Sequence, residues 1–383
     1  MAAAADKKPG EQGARERFWH MRFWNGMWIT GWFRLLGRNR FAVSPSRVGM
    51  TLIISMLTLM HLALWAIQKL IYGRRIARTE IEKAPIFVIG HWRSGTTLLH
   101  ELMVLDRRHT YPDACMCFAP NHFLVSTWFL GGLIRRMMPS KRPMDNMKFD
   151  ARRPQEDEFA MCNMGVPSPI LTIAFANRPP QYPEYLDLRG LPPEALARWK
   201  RALMWFLKCI TVRDARRIVL KSPPHTARIK TLLEMFPDAR FVHIVRDPVT
   251  VFVSTVYLWK RLYRRDGLQV PKFEGLDEYV FETFNRMYAA LERDRALVEP
   301  SRFCEVRYED LVKDPIGQTR SIYEHLELGE FDQVLPALEQ YVADQKDYQT
   351  NRYEISDETR AEIRRRWSKF IEQYGYATEP ASV

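Results

Sequence analysis

The stretch Pro85-Ile-Phe-Val-Ile-Gly90-His-Trp-Arg93-Ser94-Gly95-Thr96-Thr97-Leu-Leu-His100 decides the fold. Its apolar start, residues 86–89, is typical of a buried parallel strand. A turn with two glycines follows, and a helix is predicted from Thr96 onward. A strand, a glycine-containing loop and a helix together form a phosphate site, because loop N–H groups and the helix N-terminus both favour an anion. The predicted phosphate contacts are Gly90, Arg93, Ser94, Gly95, Thr96 and Thr97.

The cation of this loop is in an unusual place. The spacing from Gly90 to Gly95 matches a Walker A loop, but Thr96 stands where the Walker lysine should follow. Arg93, inside the loop, is the cation instead. A nucleotide triphosphatase needs that lysine on its β- and γ-phosphates. The loop therefore indicates a different phosphorylated anion and disfavours the alternative of a P-loop small-molecule kinase.

Two further apolar runs end in a basic residue. Residues 217–221 end at Lys221 and are followed by two prolines, which end the strand. Residues 241–246 end at Arg246, and Ser254 lies eight residues later on a predicted helix. Side chains at the carboxyl ends of parallel strands face the ligand crevice. A guanidinium fork and a hydroxyl suit a phosphate at that edge.

These units predict an α/β fold of the P-loop type. We expect a three-layer sandwich with a parallel sheet of about five strands and helices on both faces. We assign residues 85–378 to this catalytic domain. Residues 1–84 are predicted to be a disordered tail followed by membrane-associated helices.

With its blocks in this order, the sequence resembles the sulfotransferases that use 3′-phosphoadenosine 5′-phosphosulfate (PAPS). It is most similar to the branch with RSGTT loops, which includes many bacterial members and resembles the tyrosylprotein and Golgi carbohydrate enzymes. The resemblance spans roughly residues 85–376. It implies in-line transfer of the sulfuryl group of PAPS to an acceptor hydroxyl, release of 3′-phosphoadenosine 5′-phosphate (PAP), and no metal.

The resemblance also implies roles for individual residues. Arg246 and Ser254 match the pair that binds the 3′-phosphate, a group that ATP lacks. Lys221 matches a lysine on the transferring group, and we expect Arg93 to stabilise the leaving phosphate. Tyr308, in the block at residues 304–312, matches a tyrosine that touches the nucleotide, although packing on the sheet would explain it nearly as well.

Three residues are candidates for the general base that takes the acceptor proton. His122 ranks first and lies in a predicted non-helical turn. Glu156 ranks second and opens a predicted helix, where the helix dipole alone would also favour an acidic residue. Asp113 ranks third, since it lies near the position at which the tyrosylprotein branch keeps its glutamate.

The positive charge is concentrated at the N-terminus. The chain has a net charge of +12, and residues 1–84 hold 14 Lys and Arg against five Asp and Glu. Trp19, Trp24, Trp28 and Trp32 alternate with arginines there. This pattern favours an anionic membrane surface over nucleic acid.

The most apolar stretch is residues 48–72, which is long enough to cross a bilayer as a helix. Basic residues flank both of its ends, so three alternatives stay open: a helix lying in one leaflet, a transmembrane span, or a buried helix of the domain.

The five cysteines are an odd number without a framework pattern, and the chain has no Asn-x-Ser/Thr sequon. Both features favour a cytoplasmic catalytic domain.

These features lead to a prediction for the acceptor. We expect a hydroxyl on a glycan, a lipid or another small molecule that is accessible from the membrane. A non-catalytic, nucleotide-binding membrane scaffold is the remaining alternative. The oligomeric state does not follow from the sequence.

Overall fold

The computed structural model describes residues 22–127, 153–345 and 355–376, so the predicted disordered tail and Trp19 lie outside the described residues. A single sheet forms its centre, in the order β2-β3-β1-β4-β5, and all of the pairings are parallel. The predicted parallel sheet of about five strands is confirmed. The strands are β1 Ile86–Ile89, β2 His109–Thr110, β3 Arg217–Lys221, β4 Arg240–Val245 and β5 Phe303–Arg307.

Helices precede, connect and follow these strands, and residues 123–127 are helical as well. The helices from the N-terminus to β3 are α1 Ile29–Arg38, α2 Val48–Arg78, α3 Thr96–Met103, α4 Ala114–Phe118, α5 Asp157–Asn163 and α6 Pro193–Arg213. Those after β3 are α7 Ile229–Met235, α8 Pro248–Asp266, α9 Leu276–Asp294, α10 Tyr308–Lys313, α11 Pro315–His325, α12 Leu335–Asp344, α13 Asp357–Arg366 and α14 Ser368–Gln373.

The sheet separates two hydrophobic layers. Successive side chains of a strand point to opposite faces, so Phe87 and Ile89 enter one layer while Ile86 and Val88 enter the other. The first layer is formed mainly with α6, α8 and α9, and the second with α3, α11 and α12. The fold is therefore the predicted α/β sandwich with helices on both faces.

Strand register aligns the carboxyl ends that carry the candidate site. Val88 pairs with Lys221 of β3, and Val245 of β4 pairs with Arg307 of β5. The loop after β1 consequently lies between Lys221 on one side and Arg246 on the other. Tyr308 follows Arg307 and lies next to Arg246.

The N-terminal helices pack on the same core as the sheet. Trp24, Trp32 and Ile54 are buried within the layer that also contains Phe87 and Phe241. The indole Nε1–H of Trp24 donates to the backbone oxygen of Asp266 over 2.7 Å. Side chains from both sides of residue 84 thus share one hydrophobic core.

Candidate active site

The loop between β1 and α3 is held by its own short hydrogen bonds. The Gly90 N–H donates to Thr226 Oγ1 over 2.7 Å, and the Ser94 hydroxyl donates to the backbone oxygen of His91 over 2.7 Å. The Ser94 hydroxyl is thus used within the loop. Thr96 begins α3 as predicted, which points the N-terminus of that helix at the loop.

Both glycines of the loop occupy positions that a larger residue could not. Gly90 and Gly95 have φ angles of +146° and +103°, which L-residues rarely adopt. A Cβ on Gly90 would lie 2.6 Å from the backbone oxygen of Ile244, and a Cβ on Gly95 would lie 2.3 Å from the Tyr308 ring. The close approach of Ile244 in β4 and of Tyr308 at the start of α10 therefore requires glycine at both positions.

Arg93 connects the loop to the residues that follow β4. Its backbone lies in the left-handed region with φ of +69°, and its Nε–H donates to Ser254 Oγ over 2.7 Å. Arg246 Nη1 donates in turn to the backbone oxygen of Arg93 over 3.1 Å. Sequence reasoning assigned Arg93 and Ser254 to opposite ends of the nucleotide, whereas the structure brings them into direct contact.

The Arg246 guanidinium stacks on Tyr308, with its central carbon 3.9 Å from the ring centroid. This geometry is a cation–π contact that also fixes the plane of the guanidinium fork. Both residues are half-buried. Tyr308 therefore packs on the sheet edge and at the same time borders the phosphate loop, so the two roles considered from sequence are compatible.

Lys221 and Glu156 form an ion pair on the other side of the loop. Lys221 is only 2% exposed, and its Nζ donates to Glu156 Oε1 over 2.7 Å. Glu156 stands at the N-cap position of α5 without capping it, which leaves its carboxylate available to the lysine. The second-ranked base candidate thus contacts the predicted sulfuryl-binding cation.

A buried polar network lies behind this ion pair. The Ser222 hydroxyl donates to Asp157 Oδ1 over 2.8 Å, and the Glu158 N–H donates to Ser222 Oγ over 3.0 Å. The Glu158 carboxylate accepts two hydrogen bonds from the Arg228 guanidinium, and both side chains are fully buried. Burial alone would raise the pKa of Asp157, but His225 and Ser222 more than offset it and lower that pKa.

Sequence reasoning missed this network. It treated the acidic residues 156–158 as one group at a helix start, with the helix dipole and ion pairing as the alternative explanation of their charge. The available signal was the run Ser222-Pro-Pro-His225-Thr-Ala-Arg228 directly after β3, in which a histidine and an arginine follow a strand end that cannot continue.

His122 is buried against α2. Its Nε2 lies 2.7 Å from Nδ1 of His61, and the two rings stack with centroids 5.0 Å apart. His61 Nε2 lies 2.6 Å from the backbone oxygen of Asn25, so a consistent assignment has His61 donating to Asn25 and His122 donating to His61. Burial, and then the neighbouring His61, lowers the pKa of His122 to about 3.

Asp113 begins α4. Its carboxylate accepts a hydrogen bond of 2.8 Å from the Met116 N–H, which is a side-chain N-cap, and lies 3.5 Å from Arg213 Nη1. These contacts give the third-ranked candidate a role in holding a helix start.

Across residues 22–127, 153–345 and 355–376, no group of three His, Cys, Asp or Glu side chains could hold a metal ion.

The strand order and the loop place the protein among P-loop-type α/β folds. Residues 85–333, well over half of the chain, match the family described as the Sulfotransferase family. The chain therefore belongs to the sulfotransferase family, and it is an enzyme that transfers a sulfuryl group.

Similarity to one curated relative extends over almost the whole chain, and similarity to another covers about two thirds of it. Omega-hydroxy-beta-dihydromenaquinone-9 sulfotransferase Stf3 of Mycobacterium tuberculosis is 49% identical over 373 residues, which is 97% of this chain and 96% of that protein. Carbohydrate sulfotransferase 5 of Mus musculus is 25% identical over 277 residues, or 65% of each chain.

Solved structures show the same fold. Sulfotransferase STF9 from Mycobacterium avium has a TM-score of 0.63 at 18% identity and covers 88% of either chain. Sulfotransferase STF1 from M. tuberculosis has a TM-score of 0.61 at 19% identity, covering 92% of this chain and 94% of that one. Both alignments cover more residues than the catalytic domain contains. At least part of the N-terminal helices therefore aligns with these structures as well.

Proposed function

We propose that the protein transfers the sulfuryl group of PAPS to the hydroxyl of a membrane-borne, lipid-like acceptor. The observation that carries the donor assignment is the cluster of Arg93, Arg246 and Ser254 beside the phosphate loop. The helix N-terminus with Arg93 suits one phosphate group, and the guanidinium of Arg246 with the hydroxyl of Ser254 suits a second. PAPS carries phosphates at both its 5′ and 3′ positions, whereas ATP has none at the 3′ position.

The proposed chemistry assigns one step to each residue of the ion pair. The acceptor hydroxyl gives its proton to the Glu156 carboxylate, its oxygen forms a bond to sulfur, and the bond from sulfur to the 5′-phosphate oxygen breaks. Lys221 stabilises the charge on the sulfuryl oxygens, and PAP leaves with the electron pair. Preorganised cations of this kind supply much of the rate in such transfers.

The contacts support Glu156 over His122 as the base. Glu156 touches Lys221, the cation assigned to the transferring group. His122 is committed to His61, and burial lowers its pKa to about 3, which makes it a weak proton acceptor. Glu156 therefore replaces His122 as the first-ranked candidate.

The lipid-like acceptor is supported by two separate observations. The relative from M. tuberculosis is named for a menaquinone derivative that bears an ω-hydroxyl group, and it is 49% identical to this chain. Helix α2 of this chain also exposes large apolar side chains, among them Met56 and Leu70. A hydroxylated isoprenoid lipid would reach such a surface from the bilayer.

Calorimetry with PAP tests the donor site. We expect PAP to bind more tightly than adenosine 5′-phosphate, because only PAP engages Arg246 and Ser254. Arg246→Ala should remove most of that difference, by about tenfold to a hundredfold, which corresponds to losing one charge-assisted contact of about 1.5–3 kcal/mol. The control is Arg178→Ala, which removes an exposed arginine away from the loop. Equal affinities for both nucleotides in the wild-type chain would contradict the proposal.

A transfer assay tests the acceptor. The full chain is incubated with sulfur-labelled PAPS and either a lipid extract or a water-soluble glycan extract, and labelled products are identified by mass spectrometry. We expect label in a hydroxylated lipid. Label only in water-soluble products would overturn the acceptor assignment and leave the donor assignment standing.

A further inference from the structure

Helix α2 packs one face on the domain and leaves the other exposed. The face toward the domain is mixed, since it buries the polar side chains Thr58, His61 and Gln68 together with Met50, Ile54 and Ile76. The other face exposes an outward stripe of large apolar side chains, namely Leu52, Met56, Leu59, Ile67, Leu70 and Ile71, with exposed fractions from 44% to 87%. Such a stripe on a long helix marks an interaction surface.

The domain holds α2 along nearly its whole length. At its start Arg47 Nη2 donates to the backbone oxygen of Arg264 over 2.6 Å, and near its end Arg75 Nη2 donates to the backbone oxygen of Val212 over 3.2 Å. In the middle Gln68 donates to the backbone oxygen of Asn121 and accepts from the Leu124 N–H. At 1.5 Å per residue, the segment from Arg47 to Arg75 is about 42 Å long.

This attachment is incompatible with a transmembrane orientation. Of the described residues, the helix Pro45–Arg78 is the one long and apolar enough to cross a bilayer, and only 22% of its most apolar window is buried. The hydrocarbon core is about 30 Å thick, so a spanning α2 would take the attached domain into hydrocarbon or lose these contacts. Losing them would leave His61 and Gln68 in lipid without their partners, at a cost of several kcal/mol.

The charge around the stripe is complementary to anionic lipid. Residues 22–79 contain no Asp or Glu and nine Arg and Lys. Lys69, Arg74 and Arg78 are exposed beside or just beyond the end of the stripe, and Arg40 with the 62% exposed Phe41 precedes its start. A shallow cavity of about 400 Å³ is lined by Arg74, Arg75, Arg78 and Thr79. Several arginines close together favour an anionic headgroup at this end of the helix.

We propose that α2 lies in the plane of an anionic bilayer as a monotopic anchor, with the outward stripe among the acyl chains and Arg74 and Arg78 at the headgroups. Such helices are buried about 5–10 Å below the headgroup boundary. This inference deepens the proposed function. It rests on that function only where it concerns the acceptor. The inward face of the same helix contacts the turn with His122 through His61 and Gln68, so the proposed anchor is joined directly to the domain.

Flotation with lipid vesicles tests the surface. The full chain is mixed with vesicles of phosphatidylcholine, with or without phosphatidylglycerol. We expect stronger binding to the anionic vesicles, and at least a tenfold loss of binding for the double variant Leu70→Glu, Ile71→Glu. The matched control is Leu297→Glu with Val312→Glu, two apolar residues that are 56% and 48% exposed elsewhere on the surface. Equal binding by both double variants would overturn the proposal.

Depth measurements separate an in-plane helix from a span. Single cysteines at Leu52, Leu59 and Leu70 are spin-labelled in a variant whose half-buried Cys304 is replaced by serine. We expect nearly equal depths for the three labels. A label at Leu59 that lies much deeper than those at Leu52 and Leu70, as in a span centred near residue 60, would overturn the in-plane orientation.

PAP binding keeps the two proposals distinguishable. The Leu70→Glu, Ile71→Glu variant should bind PAP like the wild-type chain, and its melting temperature should confirm that it is folded. Arg246→Ala should float with anionic vesicles like the wild-type chain. A wild-type chain that binds PAP but not the vesicles would overturn the membrane inference alone. A wild-type chain that binds the vesicles but not PAP would overturn the donor assignment alone.

Discussion

Gly95 and Tyr308 are far apart in the sequence, and their contact completes the phosphate loop. A Cβ on Gly95 would meet the Tyr308 ring at 2.3 Å, and the φ angle of +103° is already unfavourable for alanine. We expect Gly95→Ala to weaken PAP binding about tenfold or more, because the loop and Tyr308 would both have to move. Calorimetric titration with PAP measures this loss.

The control for this variant is Gly275→Ala. Gly275 also has a positive φ of +71°, but a Cβ there would meet no atom within 4 Å. Both variants should lose about 1–2 kcal/mol of stability from backbone strain. Only Gly95→Ala should lose PAP affinity, and a similar loss in Gly275→Ala would refute the steric explanation.

The identity of the general base is a second question at the residue scale. We expect Glu156→Gln to lower kcat by about 10²–10⁴-fold, since the amide cannot accept the acceptor proton, while PAP affinity changes little. His122→Gln should lower kcat much less. Steady-state rates at saturating PAPS measure both effects, and a larger kcat loss in the histidine variant would restore His122 to first rank.

Individual residues differ in how far the sequence could predict them. Arg246 and Ser254 were assigned to the 3′-phosphate through the family resemblance, and both lie within one strand–helix unit, where local spacing sets their separation. The contact between Lys221 and Glu156 could not be predicted, because it depends on how α5 packs against the end of β3. The chain places 64 residues between those two side chains, and no local pattern encodes that docking.

At the scale of elements, the pair Glu158–Arg228 joins the start of α5 to the turn after β3. We expect Arg228→Met to destabilise the fold by about 3–5 kcal/mol, because it leaves a carboxylate buried without its partner. The double variant Glu158→Gln, Arg228→Met should recover part of this loss. Chemical denaturation followed by circular dichroism measures the free energy of unfolding.

An exposed pair provides the comparison for this effect. Arg365 and Glu362 also form a hydrogen-bonded ion pair, but at the surface of α13. Exposed pairs of this kind contribute about 0–1 kcal/mol, so Arg365→Met should change stability little. Equal losses for the two arginine variants would show that the buried network is unimportant for the fold.

The elements themselves were largely predictable. Continuous apolar runs predicted β1, β3 and β4, and the basic residues Lys221 and Arg246 at the ends of the latter two predicted which edge of the sheet carries the candidate site. The role of α2 was predictable only in part, since a long apolar run with basic residues at both ends favours a helix in one leaflet but leaves a span and a core helix open. The contacts of His61, Gln68 and Arg75 argue against a span, and the exposed apolar side chains argue against a core helix.

At the scale of the whole molecule, the N-terminal helices share a hydrophobic core with the catalytic domain. This shared core determines which residues can be deleted without unfolding the protein. Trp24, Trp32, Leu35, Leu36 and Ile54 are at most 2% exposed and pack on the catalytic domain. Each buried side chain of this size contributes about 1.5–3 kcal/mol, and the total stability of a domain is about 5–15 kcal/mol. We therefore expect the chain without residues 1–84 to be insoluble or unfolded.

Expression of residues 85–383 alone tests this expectation. Solubility, circular dichroism and thermal melting are compared with those of the full chain. A cooperative transition close to that of the full chain would mean that the N-terminal helices are a removable appendage, as the sequence-based division at residue 84 predicts.

The hydrogen bond from Arg47 to Arg264 spans 217 residues of sequence. A ribosome that adds about 5–20 residues per second needs between about 10 and 40 s to travel that distance. For most of this interval α2 has already been synthesised, while Arg264, whose backbone oxygen holds its start, is still to be made. The order of translation therefore gives a nearby bilayer the first opportunity to capture the helix, before the enzyme that it serves has been completed.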